Sequence, residues 1–154
     1  MFEAGAKVGP IQPYFLSQIE GRLGKESHLD KGALKAKAEA VAIGAPLDRA
    51  TEVGPLCTAR QRQLIETVVA ESIAAGARLV TGGTALDRPG FYYPPTILDC
   101  TGITSPSVET ELFGPVLSVL TFETEQQALD LANDTPFGLA SGLFTQNLTR
   151  AHRM

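Results

Sequence analysis

Apolar residues recur at helical spacing most clearly between Thr58 and Gly76, where Leu64, Ile65, Val68, Val69 and Ile73 follow one another. Thr58 and Gln61 stand at capping-box spacing ahead of them, and Gly76 closes the segment. Thr124 with Gln127 repeats the capping-box signal and predicts a helix reaching about Asn133. ALKAKAEAVAIG (33–44), rich in Ala and Lys, reads as a helix with Gly44 as its C-cap, followed by a loop over APLDRATEVGP (45–55). Between these lie the strand signals. ARLVTGG (77–83) is a short strand ending in a diglycine turn. FYYPPTILDC (91–100) is extended, with Pro94 and Pro95 pushing it toward a sheet edge or an irregular strand. PVLSVLTF (115–122) and LASGLFT (139–145) read as strands buried on both faces. SPSVETELFG (105–114) holds one or two helical turns, and Asn147 caps a final helix. From residue 58 the order is α-β-β-α-β-α-β-α, which predicts an α/β fold with a largely parallel sheet and crossover helices. Residues 1–30, broken by Gly5, Gly9, Pro10 and Pro13, form an unassigned N-terminal segment. The last helix runs to the end of the chain without a cap, so a truncated domain is expected.

Composition adds few constraints and several exclusions. The 154 residues fit one domain large enough to bury a core without disulfides or metal. An apolar share of 44% with 19% charged residues is ordinary for a globular chain. The 15 Gly and 10 Pro argue for a loop-rich α/β chain over a helical bundle. A net charge of −4 provides no electrostatic footprint for nucleic acid or an anionic membrane. No apolar run approaches the roughly 18 residues of a membrane span, and MFEAGAKVGPIQPYF is not built like a signal peptide. Two cysteines do not make a disulfide framework, so a cytoplasmic setting is expected, in which the sequons at Asn133 and Asn147 carry no meaning.

The motifs that resemble sites weaken when tested. GRLGKES (21–27) fails as a phosphate loop, because the first glycine would fall at Ile19 and Lys25 is followed by Glu26. GGTALDRPG (82–90) reads as a turn. Cys57 precedes a capped helix start, which favours a thiolate, but His28 and His152 are both distant in sequence. Cys57 and Cys100 are therefore expected to be small buried hydrophobes, and no ligand spacing points to zinc. The most unusual segment is ETELFGPVLSVL (109–120), with Glu109 and Glu111 just ahead of Phe-Gly-Pro and a buried strand. A carboxylate at a strand's entrance can accept hydrogen bonds from hydroxyls, and an aromatic two residues on can pack against a planar ring. Taken alone, these residues read more simply as a solvated Glu and a core Phe.

ELFGPVLSVL, together with LANDTPFGLASGLFT (131–145), resembles the NAD(P)-dependent aldehyde dehydrogenase superfamily. IGAPLD (43–48), EVGPL (52–56), GARLVTGG (76–83), GFYYPPTIL (90–98) and NLTRAHRM (147–154) are similar to further landmarks of that family in the same order. The resemblance runs from about residue 32 to 154 and implies that residues 31–154 are part of an aldehyde dehydrogenase catalytic domain. It implies that Glu111 contacts the nicotinamide ribose hydroxyls of NAD or NADP and that Phe113 lies beside the nicotinamide. Where the family usually has a second Glu before this one, Thr110 stands here.

The family's catalytic motifs are not in this sequence. There is no GQ-x-C-type segment around Cys57 or Cys100 and no E-L-G-G-type segment for the general base. No catalytic residue is therefore assigned. The resemblance implies a fragment of an enzyme that oxidises a small-molecule aldehyde to a carboxylic acid, inactive alone. The alternatives are a non-enzymatic interaction module or one half of a split enzyme, which would dock on a complementary chain or within a homo-oligomer.

Overall fold

The computed structural model describes residues 6–8, 30–138, 141–143, 145 and 147–153. In chain order the elements are β1 (Ala6–Val8), α1 (Lys31–Ala40), α2 (Ala59–Ala74), β2 (Arg78–Thr81), β3 (Thr96–Asp99), α3 (Pro106–Glu109), β4 (Val116–Thr121), α4 (Glu125–Asn133) and α5 (Leu148–Arg153). The segment 21–27 and His28 lie outside the described residues.

The chain is α/β, and its four strands form one mixed sheet in the order β1-β4-β3-β2. Only β3 and β4 pair in parallel, with Thr96 opposite Val116 and Asp99 opposite Val119. The connection between them carries α3, the crossover that a parallel pair requires. The link from β2 to β3 contains no helix, and that pair is antiparallel. β1 adds to the free side of β4, also antiparallel.

The period-two alternation of the two inner strands distributes residues to two layers. Ile97, Leu117 and Val119 face α1, where Leu34 and Ala38 meet them. Leu98, Cys100 and Leu120 face the other way, onto Ile65, Val68 and Val69 of α2. The sheet is thus sandwiched, with α2 carrying the larger core.

Helix ends follow local chemistry. Asp30 caps α1, its carboxylate accepting from the backbone N–H groups of Gly32 and Ala33. α1 ends at Ala40 with an extended Val41, earlier than the sequence pattern implies, and Gly44 is not its cap. Gly44 instead lies against Thr51, where a Cβ would collide with the threonine hydroxyl. α2 ends as expected at Gly76, whose φ of 107° permits a Schellman closure. Gly76 N–H donates to Ile73 O at 3.0 Å and Ala77 N–H to Ser72 O at 2.9 Å. Asn147 caps α5 as expected, its side-chain oxygen accepting from Arg150 N–H at 3.0 Å.

The helix expected after Thr58 forms, burying Ile65, Val68, Val69 and Ser72 and leaving Leu64 and Ile73 exposed. Two sequence expectations about strands are corrected. β3 is an interior strand, because Pro94 and Pro95 precede the ladder and remove no donor from it. No strand forms at residues 141–143 or 145, and Leu143 is exposed; Leu139, Ala140 and Phe144 lie outside the described residues. Among the described residues, no helix is long and apolar enough to cross a membrane.

Candidate functional site

The segment from Thr110 to Val116 leaves α3, turns beside the N-terminal end of α2, and enters β4. Thr110 is extended with φ −107° and ψ 131°, so the helix stops there. Leu112 is the anchor of the segment, buried in the cluster with Ile65, Val69 and Tyr93. Glu111 and Phe113 flank this anchor and face outward. Glu111 is half-buried, and Phe113 is 65% exposed. Among the described residues the Glu111 carboxylate has no hydrogen-bond or ion-pair partner.

The backbone at this turn is strained. Phe113 has a φ of 45°, the one positive φ at a non-glycine among the described residues. Left-handed backbone is disfavoured for a bulky side chain by about 1–2 kcal/mol, so its surroundings must hold it there. Gly114 approaches α2 so closely that a Cβ would collide with Ile65 Cδ1 and touch Leu56. Val116 N–H then donates to Gly114 O at 2.8 Å, and Thr96 N–H to Pro115 O at 2.8 Å. From the helix side, the side-chain amide of Gln61 donates to Leu112 O.

Gln61 is the residue that the pattern read differently. Thr58 does cap α2, its hydroxyl accepting from Gln61 N–H at 3.1 Å. The Gln61 side chain does not return to the cap, as a capping box would have it, but crosses 51 residues of sequence to the turn. No local signal in the sequence distinguishes the two uses.

Tyr93 lies beneath the anchor, 1% exposed, and its hydroxyl lacks a hydrogen-bond partner. Burial pushes its phenol up to about 12, with the charge of Glu66 acting the same way. Thr96 pulls in the opposite direction, although its hydroxyl is engaged with Pro94 O at 3.0 Å and Gly83 N–H at 2.9 Å. Tyr93 is thus a neutral core residue at ordinary pH.

The two cysteines separate. Cys100 is fully buried, with Sγ 3.6 Å from the Ser107 hydroxyl, as a small core residue should be. Cys57 is exposed and free, contrary to the same expectation for it, because it stands one residue outside the α2 cap on the solvent side. His152 is exposed on α5. No cluster of three or more His, Cys, Asp or Glu able to hold a metal occurs among the described residues.

A sequence model of the aldehyde dehydrogenase family matches residues 29–154. The chain belongs to the aldehyde dehydrogenase family. It is 57% identical over 122 residues to the (Z)-2-((N-methylformamido)methylene)-5-hydroxybutyrolactone dehydrogenase of Acinetobacter baylyi, covering 79% of this chain and 25% of that relative. It is 44% identical over 131 residues to a betaine aldehyde dehydrogenase of Cereibacter sphaeroides, covering 84% and 26% of the two chains. The solved betaine aldehyde dehydrogenase of Staphylococcus aureus, a complex with NAD+, superposes with a TM-score of 0.73 at 34% identity, covering 80% of this chain and 25% of that one. The chain spans about a quarter of the length of these relatives.

Within this aldehyde dehydrogenase segment, the strained turn offers two groups side by side: a carboxylate with no partner among the described residues and an exposed aromatic ring. A carboxylate can accept from two vicinal hydroxyls, and a ring face can pack on a planar heterocycle.

Proposed function

We propose that residues 31–154 form the part of an aldehyde dehydrogenase catalytic domain that holds the nicotinamide end of NAD or NADP, with Glu111 accepting from the ribose hydroxyls and Phe113 packing beside the ring. The observation that carries this reading is the strained Phe113, φ 45° and exposed, next to a Glu111 carboxylate with no partner among the described residues. Strain kept at an exposed aromatic is typical of a binding surface. When bound, the nicotinamide supplies the hydride acceptor. Glu111 and Phe113 orient that acceptor and make no bond to the aldehyde carbon. A ring misplaced by about 1 Å can cost roughly 100-fold in rate, so orientation is a catalytic contribution without chemistry of its own.

The nucleophile and general base have no matching motif in these 154 residues. The chain alone is therefore inactive toward a small-molecule aldehyde, and the active enzyme has further residues contributed in the same chain, by a complementary chain or within a homo-oligomer. A cytoplasmic, reducing setting suits the free, exposed Cys57 thiol.

The test has two steps. The purified chain, given NAD or NADP with betaine aldehyde, is expected to form no NADH or NADPH. A hybrid in which this chain replaces the matching quarter of the A. baylyi relative is expected to oxidise that relative's substrate. In the hybrid, Glu111→Gln should slow the pre-steady-state burst about tenfold or more and Phe113→Ala should act in the same direction. Neither should prevent covalent trapping of the nucleophilic cysteine by an aldehyde-like inhibitor. Unchanged burst rates in both variants would sink the assignment.

A further inference from the structure

We infer that Gln61 is a positioning residue, whose side-chain amide sets the conformation in which Glu111 and Phe113 are presented. The inference rests on the proposed role of those two residues, and deepens it. The Leu112 carbonyl that accepts from Gln61 belongs to the peptide plane joining Leu112 to Phe113. Rotation of that plane about the Phe113 N–Cα bond is the φ angle held at 45°. A donor fixed to the carbonyl therefore acts on the strained torsion itself. The same plane is tethered on its other side by the Leu112 side chain, 5% exposed in the core. One turn along α2, Ile65 closes the space behind Gly114, so the chain cannot relax toward the helix.

Gln61 is well suited to this role. It stands in the first turn of α2, whose backbone is fixed by the Thr58 cap and, at the far end, by the Gly76 closure. The donor thus comes from a rigid element, and an amide carries no charge that would compete with Glu111 for a hydroxyl-bearing ligand. Gln61 touches neither cofactor nor aldehyde in this arrangement; it acts through the turn.

The experiment compares Gln61→Glu, which keeps the shape but loses the donor, with Gln61→Lys, which keeps a donor of similar reach. Nuclear magnetic resonance on the 154-residue chain reads the torsion directly, because a positive φ produces a strong intraresidue cross-peak between the amide proton and Hα. The unsubstituted chain is expected to show that cross-peak at Phe113, with a slowly exchanging Val116 amide. Gln61→Glu should weaken the cross-peak and speed Val116 exchange about tenfold or more, leaving exchange in β3 unchanged; Gln61→Lys should restore both. An undiminished cross-peak in Gln61→Glu, or faster exchange spread equally through β3, would overturn the inference. In the hybrid enzyme, Gln61→Glu should slow hydride transfer about tenfold and raise the cofactor KM, with cysteine trapping unchanged. Loss of the cross-peak without any kinetic change would uphold Gln61 as the residue that sets the turn and overturn the cofactor role of Glu111 and Phe113.

Discussion

Helices α2 and α4 begin with the same sequence signal and use it differently. In α4, Thr124 accepts from Gln127 N–H at 3.1 Å and the Gln127 side chain returns toward the start, accepting from Glu123 N–H at 2.8 Å. In α2 the threonine caps identically, but the glutamine leaves for the Leu112 carbonyl. The difference follows from what surrounds each helix. α4 buries only Ala128, and its further bonds are to itself or to α5, where Glu125 meets Arg153 at 2.5 Å. α2 buries four residues against the sheet and has a backbone carbonyl within reach of its first turn. A helix start keeps its box when no backbone acceptor lies within reach of its glutamine, and gives up half of it when the core brings one. A buried α2 is thereby able to act as a platform for the turn, whereas α4 offers the core only Ala128 and a partly buried Leu131.

The largest way to break this contrast is to hollow out the platform. Ile65 is fully buried and lies behind Gly114. Ile65→Ala should cost about 3 kcal/mol in urea unfolding, and it should free the turn. An equilibrium change under 1 kcal/mol would show that the turn does not depend on α2 packing.

Helix α1 offers a third mode of attachment, by charge. Asp99 receives Lys31 Nζ at 2.5 Å and Arg78 at 2.9 Å. Burial alone would raise its carboxyl, but the bonds from Lys31, Arg78 and Thr101 outweigh it and hold the group well below the usual carboxylate range. A depressed folded-state value means that the stabilisation is complete above the unfolded-state value of about 3.9 and is lost as pH falls below it. Asp99→Asn should therefore cost about 2 kcal/mol at neutral pH and flatten the stability curve below about pH 4. An identical acid limb in the variant would remove Asp99 from the account.

Ser72 sharpens the comparison at the other end of α2. Its hydroxyl donates to Val68 O at 2.7 Å and accepts from Ser107 N–H at 3.0 Å, tying the helix to α3. Ser72→Ala leaves that buried N–H without an acceptor and should cost about 1.5 kcal/mol. On α4, Gln126 donates to Asp130 at 2.8 Å in solvent, and Gln126→Ala should stay within about 0.5 kcal/mol. Thermal melts of the two variants should differ in that order.

The caps themselves contribute less than the Ser72 tie. Thr58→Ala and Thr124→Ala should each cost about 1 kcal/mol. Only Thr58→Ala should also speed amide exchange at residues 113–116, because only that helix start carries the turn. Equal exchange in both variants would contradict a platform role for α2.

Much of this architecture was legible locally. Both threonine caps, the Gly76 closure, the Asn147 cap and the β4 strand were readable because each depends on a few neighbouring residues or one period. The candidate turn was legible as an unusual arrangement of Glu111, Phe113, Gly114 and Pro115, though not as a strained one. Misreadings arose where partners were remote. Gly44 looked like a helix cap, but Thr51 is what requires it. Pro94 and Pro95 marked an edge, but the ladder begins only after them. The run at 139–145 read as a strand on composition, whereas residues 141–143 and 145 pair with no strand of the sheet.

By itself, then, the sequence determined the order of elements from α2 to α4, the start and stop of those two helices, and the unusual turn at Glu111–Pro115. These rest on short-range hydrogen bonds and periodicity, which contiguous residues carry in full. Only the tertiary structure decided that β3 is interior, that the sheet is mixed, that Cys57 is exposed, and that Gln61 reaches Leu112 rather than its own cap. Each of these depends on which surfaces meet across long stretches of chain. A polar side chain such as Gln61 takes the best buried acceptor within reach, and that acceptor does not exist until α3 and β4 have packed against α2.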